Sequence, residues 1–324
     1  MGIFDRIGAR KELFLGPGEL PMKEYRSEKR GCRYWRNLGL FAVLVGLGGL
    51  LLLIYAGHPY YLSRGWSHPE RLAVCCATPD NYGMEYEAVS FETGDELTLQ
   101  GWYVPSRNRA AVILSHPMAS NRVAMLGMAE VLARHGYGVL LFDLRAHGES
   151  EGDVLPFGGN EREDVRGAAA YLQTRADVDP DRIGAIGQAL GAQVSILGAA
   201  GTPAIRAVVA DAPCCTKAED FPPPSNLGDW LYLPYDLVFF RMLQWHAGVS
   251  DPESVQAAVA RISPRPILLI GGGSEQSMLQ HHYQAAGQPK ELWIIPEAGH
   301  IAGLDARPEE YAERIVGFFD RALL

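Results

Sequence analysis

The stretch Ile183-Gly184-Ala185-Ile186-Gly187-Gln188-Ala189-Leu190-Gly191-Ala192 decides how this chain folds. Its first half is a short apolar run of the kind that forms a buried strand, and its second half opens a helix with no loop between them. Such a junction is where the pattern G-x-S-x-G sets a nucleophile on a sharp strand-to-helix turn. Gly187 and Gly191 occupy the two glycine positions, where a bulkier side chain would clash in the tight turn. The central position, where the pattern calls for Ser, is Ala189. Glycines four positions apart are common by chance; the strand-turn-helix context gives this pair its weight.

On either side of the turn the chain alternates. Two β-like runs, 86–93 and 97–104, flank the turn Gly94-Asp95. Strand 110–115, a helical pattern over 123–135, strand 138–143 and a helix over 162–175 follow. After strand 182–187 and helix 190–199 come strand 205–211, a long apolar insertion, strand 266–271, helix 276–286, strand 291–296 and a last helix over 308–323. Runs such as AVIL, GVLLF and RPILLI are apolar throughout. Strands of that kind between amphipathic helices predict a mostly parallel sheet covered on both faces, with the two opening strands as an antiparallel edge.

Upstream, residues 38–56 read LGLFAVLVGLGGLLLLIYA without a charge. At ~1.5 Å per residue the run reaches roughly 28 Å, close to the ~30 Å hydrocarbon core of a bilayer, and predicts one transmembrane helix. A signal peptide is the competing reading; its apolar region is shorter and its leader briefer than the 37 residues here. Lys23, Arg26, Lys29, Arg30, Arg33 and Arg36 precede the run, and only Arg64 and Arg71 closely follow it. The positive-inside rule then places the N-terminus in the cytoplasm and the rest beyond the membrane. The expected layout is a cytoplasmic segment 1–37, the span 38–56, a linker 57–81 and a catalytic domain 82–324 with a cap insertion near 213–262.

The balance of 29 basic and 38 acidic residues leaves a net charge of −9, which gives no support to nucleic acid as a partner. Cys32 stands alone, and Cys75-Cys76 and Cys214-Cys215 form adjacent pairs with no metal-binding spacing, so no metal or cofactor is expected. Buried free thiols are one reading of the pairs, and a bridge between them, open to an exported domain, is the other.

The segments LTLQGWYVP, AVILSHPMASNR, GYGVLLFDLRAHGES, DVDPDRIGAIGQALGAQ, ISPRPILLIGGG and IIPEAGH, in this order, resemble α/β-hydrolase-fold serine hydrolases of the prolyl-oligopeptidase and dienelactone-hydrolase branch. The resemblance runs from about residue 82 to the C-terminus. It implies an eight-stranded α/β-hydrolase sheet with a helical cap, and a catalytic triad in the order nucleophile, acid, base. Ala189 then stands at the nucleophile position, Glu275 at the acid and His300 at the base. Asp211, at the end of an earlier strand, is the alternative acid. Two departures stand out: the acid is Glu where Asp is usual, and His116 is followed by Pro117 where Gly is usual. The oxyanion hole needs backbone N–H donors. Leu190 is expected to supply one and Met118 the other, because Pro117 has no N–H. Asp143, Arg145 and His147 read as scaffold.

The insertion NLGDWLYLPYDLVFFRMLQWHAG is rich in aromatic residues, either a cap helix packed on the core or a pocket wall. Trp230 and Phe239 are its candidate substrate-pocket residues, facing a small-molecule or lipid-like ester. The expectation is a membrane-anchored carboxylic-ester hydrolase without a metal or cofactor, its catalysis silenced by Ala189. A peptidase or thioesterase of the same fold, or a natural non-catalytic binder, are the alternatives. Retention of Glu275 and His300 favours a Ser→Ala replacement over ancestral loss, since triad members act as a unit.

Overall fold

The computed structural model describes residues 22–324. Most of the expected cytoplasmic segment, residues 1–21, lies outside the described residues, as do the side chains of Lys23, Arg26, Lys29 and Arg30. The chain divides into two compact units between Leu53 and Ile54. In the first, helix α1 (Met22–Leu52) carries the apolar run as far as Leu52, with the residues from Gly31 onward exposed. Among the described residues one helical run, Gly31–Ser67, is long and apolar enough to cross a membrane; a signal sequence has the same length and composition.

The second unit holds one eight-stranded sheet. Its strands are β1 (Glu87–Glu92), β2 (Thr98–Val104), β3 (Ala111–Ser115), β4 (Gly138–Phe142), β5 (Ile183–Gln188), β6 (Ile205–Asp211), β7 (Ile267–Gly272) and β8 (Lys290–Ile295). They lie in the order β1-β2-β4-β3-β5-β6-β7-β8. β1–β2 and β2–β4 pair antiparallel, and every other pair is parallel, so the antiparallel edge is where the paired opening strands placed it.

Alternate residues of the central strands feed two cores. Val112 and Leu114 face one, with helices α3 (Leu126–Arg134) and α10 (Pro308–Leu323). Ala111 and Ile113 face the other, with α4 (Glu161–Gln173), α5 (Leu190–Gly201), α7 (Val255–Ile262) and α8 (Gln276–Ala285). Both sides of the sheet are thus buried, which is why the central strands are apolar at every position. The pairs Ser115 with Gly187, Gln188 with Asp211 and Asp211 with Ile270 bring the ends of β3, β5, β6 and β7 to one edge. Open α/β sheets bind their ligands at that carboxyl edge.

Two expectations are corrected, and one of the two readings of the cysteine pairs is set aside. Residues 57–81 are no linker: α2 (His58–Ser67) packs on the hydrolase body, with Trp66 stacked 5.5 Å from Phe157 and edge-on to Phe239 at 5.1 Å. The cap is narrower than residues 213–262, because α7 buries Val255, Ala258, Val259 and Ile262 among the sheet-covering helices. The insertion proper is α6 (Leu227–Ala247), capped by Asn226, whose side chain accepts from the Asp229 amide at 3.1 Å. Finally, no bridge joins the two cysteine pairs. Cys75 is bonded to its neighbour Cys76, and Cys32, Cys214 and Cys215 are free. The physical reason is placement: Cys75 and Cys76 are exposed ahead of β1, whereas Cys215 is buried just past β6. A short turn after α8 and a small helix α9 (Gly303–Ala306) complete the second unit.

Because Trp66 fills the space between Phe157 and α6, Trp66→Ala should lower unfolding stability by about 2–4 kcal/mol, the cost of truncating a large packed aromatic. Urea titration should show a lower midpoint at unchanged slope; an unaltered midpoint would mean that α2 contributes no packing.

Candidate active site

β5 turns into α5 within one residue, and that turn sets the site. Ala189 sits at φ 49° and ψ −111°, a left-handed conformation that costs a non-glycine residue on the order of 1–3 kcal/mol. It is held there by its amide, which donates to the Asp211 carbonyl at 2.9 Å. A Cβ on Gly191 would lie 2.0 Å from the Ser115 carbonyl oxygen, and one on Gly187 would lie 2.1 Å from the Gly191 carbonyl oxygen. Both positions therefore admit only glycine, as the pattern demands. The Ala189 side chain is half-buried and so reachable. Leu190 opens α5, where the first amides have no acceptor within the helix and the positive end of its dipole points at the turn. Ser115 and Ser195 are no substitutes for a nucleophile here: both are fully buried, and the Ser195 hydroxyl donates to Ser115 Oγ at 3.3 Å.

Past β7, the turn Gly273–Glu275 lifts Glu275 against the loop after β8 that carries His300. His300 Nδ1 donates directly to Glu275 Oε1. The other carboxylate oxygen accepts from the Gly272 amide at 2.7 Å, which fixes the acid in place. With Nδ1–H given to Glu275, Nε2 is left with the lone pair a general base uses. His300 is exposed and Glu275 only half so, an arrangement of a reachable base over a shielded acid.

Asp211 lies next to this pair without joining it. Its Oδ2 accepts from the Tyr311 hydroxyl at 2.8 Å and from the Gln188 side-chain amide at 3.3 Å. Burial lifts its pKa to about 6, the nearby Glu275 charge adds to the rise, and His300 opposes it. The structure thus brings Glu275, and not Asp211, to the imidazole.

The loop after β3 is clamped by His116. Its ring is fully buried, with Nδ1–H donating to the Pro117 carbonyl at 2.7 Å and Nε2 accepting from the Leu144 amide at 3.0 Å. Burial drives its pKa down to about 3, with the neighbouring His147 adding to the fall, so the ring is neutral and can do both. Met118 follows in half-buried backbone, packed against the core that holds α5. The clamp was not foreseen from the sequence; a His ahead of the Pro was its only sign. Asp143, Arg145 and His147 are scaffold. Buried Asp143 pairs with Arg122 at 2.9 Å, and buried Arg145 pairs with Asp164 at 2.7 Å and Asp95 at 2.8 Å.

The two expected pocket residues part company. Phe239 is buried against Trp66, Tyr235 and Phe240, as a core residue, while Trp230 is exposed. The reason is position along the helix: Phe239, Phe240 and Leu243 lie in the C-terminal half of α6, which meets the body, whereas Trp230 lies in the N-terminal half, where Leu227, Leu231 and Tyr232 are exposed as well.

An elbow at the carboxyl edge, with an acid-base pair on the neighbouring loops, defines a hydrolase of the α/β-hydrolase fold. The model of the family described as X-Pro dipeptidyl-peptidase (S15 family) matches residues 63–225, just over half the chain, and the chain belongs to that family. It is 30% identical over 253 residues to the uncharacterized protein YfhR of Escherichia coli O157:H7, covering 73% of this chain and 81% of that one. Among solved structures, the esterase Pf2001 of Pyrococcus furiosus superposes with a TM-score of 0.64 at 27% identity, covering 80% of this chain and 99% of its own. A dienelactone hydrolase from Anabaena variabilis shares the fold, with a TM-score of 0.53 at 22% identity over 74% of this chain and 99% of its own.

The raised pKa of Asp211 has a consequence for stability. A carboxyl group that binds its proton more tightly when folded favours folding at low pH, and that contribution is lost as pH rises from about 3.8 through about 6. Asp211→Asn keeps an acceptor for Tyr311 and Gln188 and removes the ionisation. It should therefore stabilise the protein at pH 8 by on the order of 2 kcal/mol, and by almost nothing at pH 4. Thermal unfolding at the two pH values checks this; equal shifts at both would refute the ionisation account.

Proposed function

We propose that this chain is built as a serine hydrolase of carboxylic esters, anchored to a membrane by residues 38–56 and silent because position 189 lacks a hydroxyl. The observation that carries the reading is the direct bond from His300 to Glu275 beside an intact elbow. With Ser at 189, Oγ would attack the ester carbonyl while His300 Nε2 takes its proton. Glu275 would hold the ring in the required tautomer and stabilise the imidazolium, and the Met118 and Leu190 amides would hold the oxyanion. His300 would then protonate the departing alcohol, and water would release the acid by the same route. With Ala189 the acyl-enzyme cannot form, and substrate binds unconverted.

Two things support an ester over other acyl substrates: the likeness to the Pyrococcus esterase, and an apolar cap with little charge. The family description favours a second reading, a peptidase working through the same residues. The retained acid, base and glycines favour a Ser→Ala replacement over a chain that evolved as a binder. The basic residues ahead of the apolar run support a catalytic domain on the non-cytoplasmic side.

Ala189→Ser should produce hydrolysis of p-nitrophenyl acetate, and His300→Ala in that background should abolish it. Activity surviving without His300 would identify another base. In the same background, Glu275→Gln should lower kcat by on the order of 10³–10⁴-fold, while Asp211→Asn should change it by less than about tenfold. The reverse ranking would transfer the acid's role to Asp211. If the substrate carries a long acyl chain, kcat/KM should rise from acetyl to octanoyl esters, each buried methylene adding up to ~0.8 kcal/mol. A preference for peptide amides over every ester would favour the peptidase reading.

A further inference from the structure

The C-terminal half of α6 is docked and its N-terminal half is bare. Phe239, Phe240 and Leu243 are buried in the core, whereas Leu227, Trp230, Leu231 and Tyr232 are 75%, 60%, 57% and 68% exposed. Four large apolar or aromatic side chains on two turns of helix, with no cover among the described residues, form a patch that a soluble surface rarely carries. The one acidic group among them, Asp229, is folded back. It accepts from the Ser225 hydroxyl at 2.8 Å and the Asn226 side-chain amide at 3.0 Å.

Where the patch lies follows from how α6 runs beside the helix that enters the hydrolase unit. The Tyr55 hydroxyl donates to the Leu231 carbonyl at 3.1 Å, His58 Nδ1 and the Tyr235 hydroxyl share a hydrogen bond of 2.7 Å, and the Tyr60 ring meets His246 at 4.9 Å. These three contacts advance together along both segments, so the two run in the same direction there; Trp66, further on, reaches back to Phe239. Leu227 to Trp230 therefore lie on the Ile54 side of the Tyr55 tie, by up to about 6 Å at 1.5 Å per residue. Ile54, Tyr55 and Ala56 are the last residues of the apolar run 38–56 and belong to the hydrolase unit. The start of α6 is thus level with the end of that run.

We infer that the N-terminal half of α6 is a second membrane-contacting element, which seats Leu227, Trp230, Leu231 and Tyr232 in the interfacial layer of a lipid bilayer. Trp and Tyr are the residues favoured at that depth, with an apolar ring and a polar tip, and Leu supplies the buried part. A bilayer is the occupant because the patch is tied to the end of an apolar helix, and because its one carboxylate is already satisfied. The inference rests on the anchoring part of the proposed function. It adds that the cap is held at the lipid surface, so an apolar substrate reaches α6 from the bilayer.

The test uses the full chain in phosphatidylcholine vesicles containing radiolabelled lipid, with a benzophenone amino acid installed at one position at a time and activated by light. Phe41, within the apolar run, reports anchoring; Tyr232 reports the inference; Tyr82, exposed at the opposite edge of the sheet beside Val104 and Arg134, is the comparison. Lipid adducts at Phe41 and Tyr232, with several-fold less at Tyr82, are the expected result. Trp230 replaces Tyr232 as the labelled position if that variant fails to fold. Adducts at Phe41 alone, or capture of a second copy of the chain from Tyr232, overturn the inference and leave anchoring intact. No adduct at Phe41 removes the anchoring reading, and the inference with it.

Discussion

The close approach of α5 to the end of β3 is the contact on which the site depends. Gly191 has no room for a Cβ beneath the Ser115 carbonyl, so the helix starts as near to the sheet as backbone allows. That proximity forces Ala189 into its left-handed conformation and presents its side chain at the carboxyl edge, with the first amides of the helix beside it. The cost is met by rigid surroundings: a parallel sheet paired on both sides of β5 and a helix almost wholly buried. A side chain placed this way needs no further positioning, and the His300–Glu275 pair stands on the neighbouring loops.

They arrive with sharply different electrostatic settings. Glu275 and His300 form their pair where solvent reaches the ring, and a backbone amide secures the far side of the carboxylate. Asp211 and His116 lie beneath, buried and pushed toward their neutral forms. Low-dielectric burial disfavours charge of either sign, so the same physics raises one pKa and lowers the other. The result is a layer of buried groups that build the site beneath the solvent-facing His300–Glu275 pair. His116 works by staying neutral, donating from one nitrogen and accepting at the other to tie the loop after β3 to the start of the loop after β4.

The outer shell of the hydrolase unit rests on aromatic packing. Trp66 reaches from α2 to Phe157 and Phe239, while the π-turn Leu53–Gly57 and its neighbours are hydrogen-bonded to α6. The cap helix is thereby fastened to the segment that enters the unit, and is no free lid. Pro234 within α6 lies at the junction between its bare and docked halves. A proline there removes one helical hydrogen bond, at a place where the tertiary contacts change.

By itself the sequence determined the class of fold, the succession of strands and helices along the chain and the turn at 187–191. These rest on local patterns, apolar runs and glycine spacing, whose physical meaning does not depend on distant residues. It also singled out His300 as the candidate base, and Glu275, with Asp211 as the alternative, as the candidate acid. Only the tertiary structure shows which carboxylate the imidazole bonds, and that is Glu275. Each ends or follows a strand at the same edge, and the choice turns on which one Tyr311 and Gln188 take out of reach. In the same way, residues 57–81 read as a linker because their Pro, His and Tyr have no strong period, yet Trp66 finds its partners across long stretches of chain. Phe239 and Trp230 look alike in a run of aromatics; the half of α6 that docks on the body buries one, and the undocked half leaves the other bare. Contacts between residues far apart in the chain leave no local signature, and the choice of acid, the clamp at His116 and the docking of α2 are all contacts of that kind.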